Sequence, residues 1–80
     1  MEVVEKVLRK DMNEVMEEAK DFFEGEIGLS LRDEIEDCCL EFITNQGFVN
    51  VQVSERNGKT AVTLRSREYE REANRFIRNL

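Results

Sequence analysis

The sequence predicts a small single α+β domain over residues 1–80, with its elements in the order α-α-β-β-α and the helices packed on one face of a two-stranded antiparallel hairpin. Apolar residues recur at helical spacing in two segments of the first half, alternate with polar residues on both sides of Asn57-Gly58, and return to helical spacing after Ser66. With 80 residues, 40% of them hydrophobic, the chain lies near the lower size limit for building its own core.

The first helix is predicted over residues 2–24, because apolar side chains recur there at spacings of three and four. They cover more than half of the helical circumference, so this helix is expected to pack on two sides, either centrally in the fold or against a second copy. A second helix is predicted over residues 30–46. It begins with a Ser30-x-x-Asp33 capping pattern and carries one apolar face.

The hairpin is predicted from strict alternation and from Asn57-Gly58, the pair that suits a two-residue type I′ turn. The return strand covers residues 60–65, and Ser66 is predicted to cap a last helix that ends at Leu80. With a two-residue turn, the predicted cross-strand pairs are Val53–Val62, Val51–Leu64, Gln52–Thr63 and Asn50–Arg65.

Composition excludes several functions. The chain has no histidine, which removes the commonest general base and the commonest metal ligand. We therefore expect a non-enzymatic protein with no cofactor and no metal. Adjacent Cys38 and Cys39 are expected to be reduced thiols on the apolar side of the second helix. The N-terminal residues lack the pattern of a secretory signal, and no apolar run approaches a membrane span, so a cytoplasmic location without membrane contact is expected.

Charge is distributed unevenly along the chain. Residues 1–46 hold 14 acidic and five basic side chains, whereas residues 47–80 hold four acidic and seven basic ones. This asymmetry predicts an acidic face and a mildly basic one. The two halves of the chain could also simply attract each other.

The acidic face is the main candidate site. On the predicted second helix, a large aliphatic residue lies opposite the apolar stripe and is ringed by carboxylates, as in an interface anchor with a charged rim. The residues are Asp33, Glu36, Asp37, Leu40 and Glu41. We expect them to engage a protein partner with a basic surface, as an inhibitor or an adaptor. The alternative is an ordinary solvated surface.

A second candidate site lies on the predicted last helix, where four arginines form a stripe opposite the apolar side: Arg67, Arg71, Arg75 and Arg78. Such a stripe could follow phosphates, which makes a nucleic-acid-binding accessory protein the alternative function. Net acidity of the whole chain, −6, opposes this interpretation, as do nearby glutamates. A homodimer is also predicted, because the wide apolar stripe and the open hairpin edges need more cover than one chain supplies.

Overall fold

A five-stranded antiparallel sheet with helices on one side is the core of the structure, a computed structural model that describes residues 1–80. In chain order the elements are β1 (Glu2–Leu8), α1 (Met12–Lys20), β2 (Ser30–Ile35), β3 (Cys39–Ile43), β4 (Phe48–Arg56), β5 (Lys59–Arg67) and α2 (Glu70–Arg78). Across the sheet the strands follow the order β1-β5-β4-β3-β2. The small α+β class is confirmed, but the α-α-β-β-α order and the two-stranded hairpin are wrong.

The predicted first helix is divided between a strand and a helix. β1 pairs with β5 without interruption, from Glu2 opposite Ser66 to Leu8 opposite Thr60. The β-branched valines of this segment suit a strand, although its apolar residues, at positions 3, 4, 7 and 8, repeat at helical spacing and do not alternate. Asp11 then caps α1, since its side chain accepts a hydrogen bond from the backbone N–H of Asn13 at 2.8 Å. A π-helical segment, Asp21–Glu26, extends α1.

The predicted second helix is instead the β2–β3 hairpin. Leu31, Leu40 and Phe42 contact the core from these strands, and Asp37 adopts a positive φ of 59° in the connecting turn. The physical reason lies in the tertiary structure. A β4–β5 hairpin alone is marginal, and pairing β3 along the free edge of β4 supplies a ladder that an isolated helix cannot.

The β4–β5 hairpin confirms the predicted register in full. All four predicted pairs are opposite one another, and Asn57 and Gly58 take positive φ values of 54° and 78°. Two adjacent positive φ values are what a type I′ turn requires.

The last helix begins later than predicted. β5 continues to Arg67, and Ser66 is buried opposite Val49 rather than capping a helix. α2 starts at Glu70 and ends at Arg78.

Buried apolar residues form one cluster between the sheet and the helices. Phe23, from the π-helical segment, contacts Phe42 of β3 and Phe76 of α2, with ring centroids 5.5 Å and 5.3 Å away. Val15 and Ala19 of α1 are fully buried in the same cluster. Both helices therefore cover one face of the sheet, and the opposite face has no helix over it.

Candidate protein-interaction surface

We call the face of the sheet that carries no helix the open face. Side chains alternate between the two faces along each strand. Every second residue therefore belongs to the open face, because the residues between them belong to the core or face the helices. From β1 to β2 they are Val3, Glu5, Val7, Ala61, Thr63, Arg65, Arg67, Phe48, Asn50, Gln52, Ser54, Arg56, Cys39, Glu41, Ile43, Ser30, Asp33 and Ile35.

Exposed apolar side chains concentrate on the open face. Of the five large hydrophobic residues that are most exposed, four lie there: Val3, Val7, Ile35 and Ile43. Ile35, next to the β2–β3 turn, is 54% exposed. Val3 and Val7 lie on the β1 edge of the sheet, whereas Ile35 lies on the β2 edge and Ile43 on β3.

Charge on the open face divides across β4. Arg65 and Arg67 lie on β5, on one side, and Glu41 and Asp33 lie on β3 and β2, on the other. We call the two arginines the basic half, and the two carboxylates, together with Glu36 and Asp37 in the adjacent turn, the acidic half.

Few of these charges are neutralised within the chain. Arg65 donates only a long hydrogen bond, 3.4 Å, to the Gln52 side-chain oxygen, and Arg67 lies over the Phe48 ring with 5.6 Å to its centroid. Neither arginine has a carboxylate within ion-pair distance. In the acidic half only Glu41 has a basic neighbour, Arg32, at 3.8 Å.

A shallow depression of about 280 Å³ lies between the two halves, with Arg65 on one wall and Glu41 and Asp33 on the other. Asn50 also lines the depression, and its buried side-chain oxygen accepts no hydrogen bond from another residue of the chain.

The predicted acidic site is kept in part. Asp33, Glu36, Asp37 and Glu41 remain close together on the β2–β3 hairpin. Leu40, however, is only 1% exposed, because it points into the core opposite Val51. The prediction that Leu40 anchors a partner is therefore wrong. In a strand the two faces alternate, so the exposed aliphatic residue of this hairpin is Ile35.

The predicted arginine stripe is divided between two elements. Arg67 belongs to β5 and lies on the open face, whereas Arg71, Arg75 and Arg78 belong to α2, on the other side of the sheet. Arg75 is paired with Glu26 and lies 4.8 Å from the centroid of the Phe22 ring. Only Arg71 and Arg78 are left as free cations on the helix.

One ion pair on the open face connects the edge strand β1 with β4. Arg56 of β4 donates two hydrogen bonds to Glu5 of β1, at 3.2 and 3.1 Å, and Thr63 of β5 donates another at 3.2 Å. These donors, Arg56 above all, hold the pKa of the Glu5 carboxyl below its ordinary value of 4.5. On the helix side, Glu17 and Glu34 raise the pKa of Lys20 in the same way.

The cysteines differ from the expectation of reduced thiols, since the structure joins Cys38 and Cys39 in a disulfide between neighbouring residues. Cys39 lies on the open face beside Gln52. No group of three or more cysteine and carboxylate side chains is arranged to hold a metal ion.

Sequence analysis did not single out Ile35 or Asn50 as site residues. The predicted pairing of Asn50 with Arg65 on the polar side of the hairpin is confirmed. No alternation in residues 2–8 signals the additional strand, because the apolar residues there lie at positions 3, 4, 7 and 8.

Comparison of the chain with protein-family models, with curated proteins and with solved structures finds no match. Neither helix has the length and apolarity that a membrane span needs.

Proposed function

We propose that this chain is a non-enzymatic protein-binding module that engages a basic partner surface through the acidic half of its open face. The observation that carries the proposal is the position of Ile35. It is a half-exposed aliphatic side chain on the uncovered layer, with Asp33, Glu36 and Asp37 close by and without ion-pair partners of their own.

Binding on this surface has two physical parts. Unpaired carboxylates attract a basic partner and orient its approach, which raises the association rate. Burial of Ile35 then slows dissociation, because affinity depends on a few well-buried anchors. Such a module would serve as an inhibitor or an adaptor.

The experiment is an NMR titration of the ¹⁵N-labelled chain with a short peptide of lysine, arginine and leucine. We expect the amide signals of the β2–β3 hairpin to shift, and those of α1 to stay in place. The comparison is stringent because residues 11–26 carry seven acidic side chains and one basic one, so attraction by charge alone would favour the helix side.

Two matched double variants test which acids matter. Asp33→Lys with Asp37→Lys should abolish the shifts, whereas Glu14→Lys with Glu24→Lys, exposed and unpaired on the helix side, should leave them unchanged. Equal loss in both variants would show that only net charge acts, and the proposal would then be wrong.

A nucleic-acid-binding accessory protein is the second candidate, supported by Arg71 and Arg78, which are exposed on α2 without carboxylate partners. Titration with short duplex DNA at low and moderate salt tests it. Salt-sensitive binding that Arg71→Glu removes would favour this function over the first.

A further inference from the structure

Opposite charges flank the central strand of the open face at one level. At Asn50 on β4, Arg65 lies on one neighbouring strand and Glu41 on the other, each directly opposite Asn50 in the register. One level along, Phe48 lies between Arg67 and Ile43. A copy of the same face, turned about β4, would place Arg65 and Glu41 each over its opposite charge.

We infer that the open face binds a second copy of this chain, face to face, with a two-fold axis running along β4. The inference rests on the proposed function, because it identifies Arg65, in the basic half of the same face, as the basic partner residue that Glu41 of the acidic half meets. In a two-fold contact every interaction occurs twice, so weak complementary pairs are doubled.

The axis follows from the charges. A two-fold rotation about β4 places β5 of each copy over β3 of the other, which brings Arg65 over the partner's Glu41 at both ends of the row. A two-fold axis across the strands would instead place β5 over β5, and each Arg65 would approach the partner's Arg65. Like charges in contact oppose association, so the first arrangement suits Arg65 and Glu41 and the second does not.

Residues on the axis meet their own copies. Asn50 would lie against the partner's Asn50, and a side-chain amide can both donate and accept, so the pair supplies the donor that the buried Asn50 oxygen lacks. Phe48 would approach the partner's Phe48, and Gln52 the partner's Gln52. Arg56, at the end of the same row, would also approach its own copy, and its ion pair with Glu5 offsets that repulsion.

The size of the face limits the strength of the contact. With strands about 4.8 Å apart and a rise of about 3.3 Å per residue, five strands and the stretch from Phe48 to Ser54 give a flat area of about 24 by 20 Å, or roughly 480 Å². A standard interface buries about 800 Å² on each partner, so this contact belongs with the smaller and weaker interfaces. The rows nearest the axis align best, and these rows carry Arg65, Asn50 and Glu41.

The first experiment is sedimentation equilibrium of the full chain with a charge exchange. We expect the wild type to sediment at twice the 9.4 kDa chain mass. Arg65→Glu and Glu41→Arg, each made singly, should weaken dimerisation about tenfold or more, and the double variant should restore it, because the exchanged charges meet again across the axis. Arg71→Glu with Glu24→Arg, on the helix side, is the matched control and should not change it.

The second experiment is cross-linking on the axis. In a chain that carries Cys38→Ser and Cys39→Ser, Asn50→Cys should form an intermolecular disulfide under mild oxidation. Glu24→Cys in the same chain should not. This cross-link would show that position 50 of one copy meets position 50 of the other, independently of the charge exchanges.

The outcomes separate this inference from the proposed function. A chain that stays monomeric but binds the basic peptide through the β2–β3 hairpin would overturn the dimer and keep the protein-binding module. A dimer that none of the charge exchanges affects, with no cross-link at position 50, would show association through another surface and would also overturn the inference. Restoration in the double variant together with the cross-link supports it.

Discussion

Single residues on the β2–β3 hairpin show how strand alternation decides which side chains are exposed. Leu40 and Ile35 are both aliphatic residues surrounded by carboxylates in the sequence, yet one is 1% exposed and the other 54%. In a helix the acids around Leu40 would mark it as a surface residue. In a strand, successive side chains alternate between the two faces of the sheet. Leu40 therefore points toward the helices, and Ile35 lies on the open face.

Replacement of Leu40 by alanine tests this assignment. Leu40→Ala should lower the free energy of unfolding by about 2–5 kcal/mol, because it leaves a cavity between β3 and the helices. Ile35→Ala should change it by less than about 1 kcal/mol, since the side chain is largely exposed. Urea denaturation measures both, and equal values would show that the two residues are not on opposite faces.

Gly47 is a second position where a single atom matters. It is buried beside β5, and a Cβ there would overlap the backbone carbonyl of Arg67. Gly47→Ala should therefore destabilise the fold by about 1–3 kcal/mol. Gly25→Ala is the control, because no atom lies within 4 Å of its added Cβ, and it should stabilise by about 0.4–1 kcal/mol. Thermal unfolding of the two variants should move in opposite directions.

Among the elements, the two edge strands differ in how they are held and protected. β2 carries a bulge between Leu31 and Asp33 and charged residues along its length, features that discourage pairing with another chain. β1 is regular, and polar contacts secure it from both sides. Glu5 pairs with Arg56 on the open face, and Lys6 donates to the carbonyl oxygens of Ile77 and Leu80, at the end of α2, on the other.

The Glu5–Arg56 pair predicts a dependence of stability on pH. Because the pKa of Glu5 is lower in the folded chain than its ordinary value of 4.5, its contribution is fully present above that value. It is lost as pH falls through the lower, folded pKa. Glu5→Gln should reduce the loss of stability between neutral pH and acid, measured by urea denaturation across the range. An identical pH profile in wild type and variant would contradict the role of this pair.

At the scale of the whole molecule, one core and one uncovered face determine its behaviour. The buried residues form a single cluster shared by the sheet and both helices, so the chain is expected to unfold in one cooperative transition. The layer that would cover the other side of the sheet is absent within the chain. A second copy supplies it in the arrangement that we infer.

The melting temperature should consequently depend on concentration. Association with a second folded copy stabilises the native state by mass action, so the wild-type melting temperature should rise as the protein concentration is raised. Arg65→Glu should remove most of this dependence without losing the single transition. Differential scanning calorimetry over a range of concentrations measures it, and a wild-type melting temperature that stays constant would contradict dimerisation.

What the sequence by itself determined is the β4–β5 hairpin, its register and its polar side. Its signals are local: the Asn57-Gly58 turn requires positive φ, and strict alternation leaves no helical interpretation. The strands at residues 2–8 and 30–43 were decided only by the tertiary structure. Their apolar residues repeat at helical spacing, and the free edges of β5 and β4 supplied the hydrogen bonds that favoured the strand over the helix. The candidate site likewise has one part that the sequence predicts and another that only the tertiary structure decides. The acids on β2–β3 were predictable as a cluster, but the exposure of Ile35 and the burial of Leu40 depended on which face the sheet turned toward the helices.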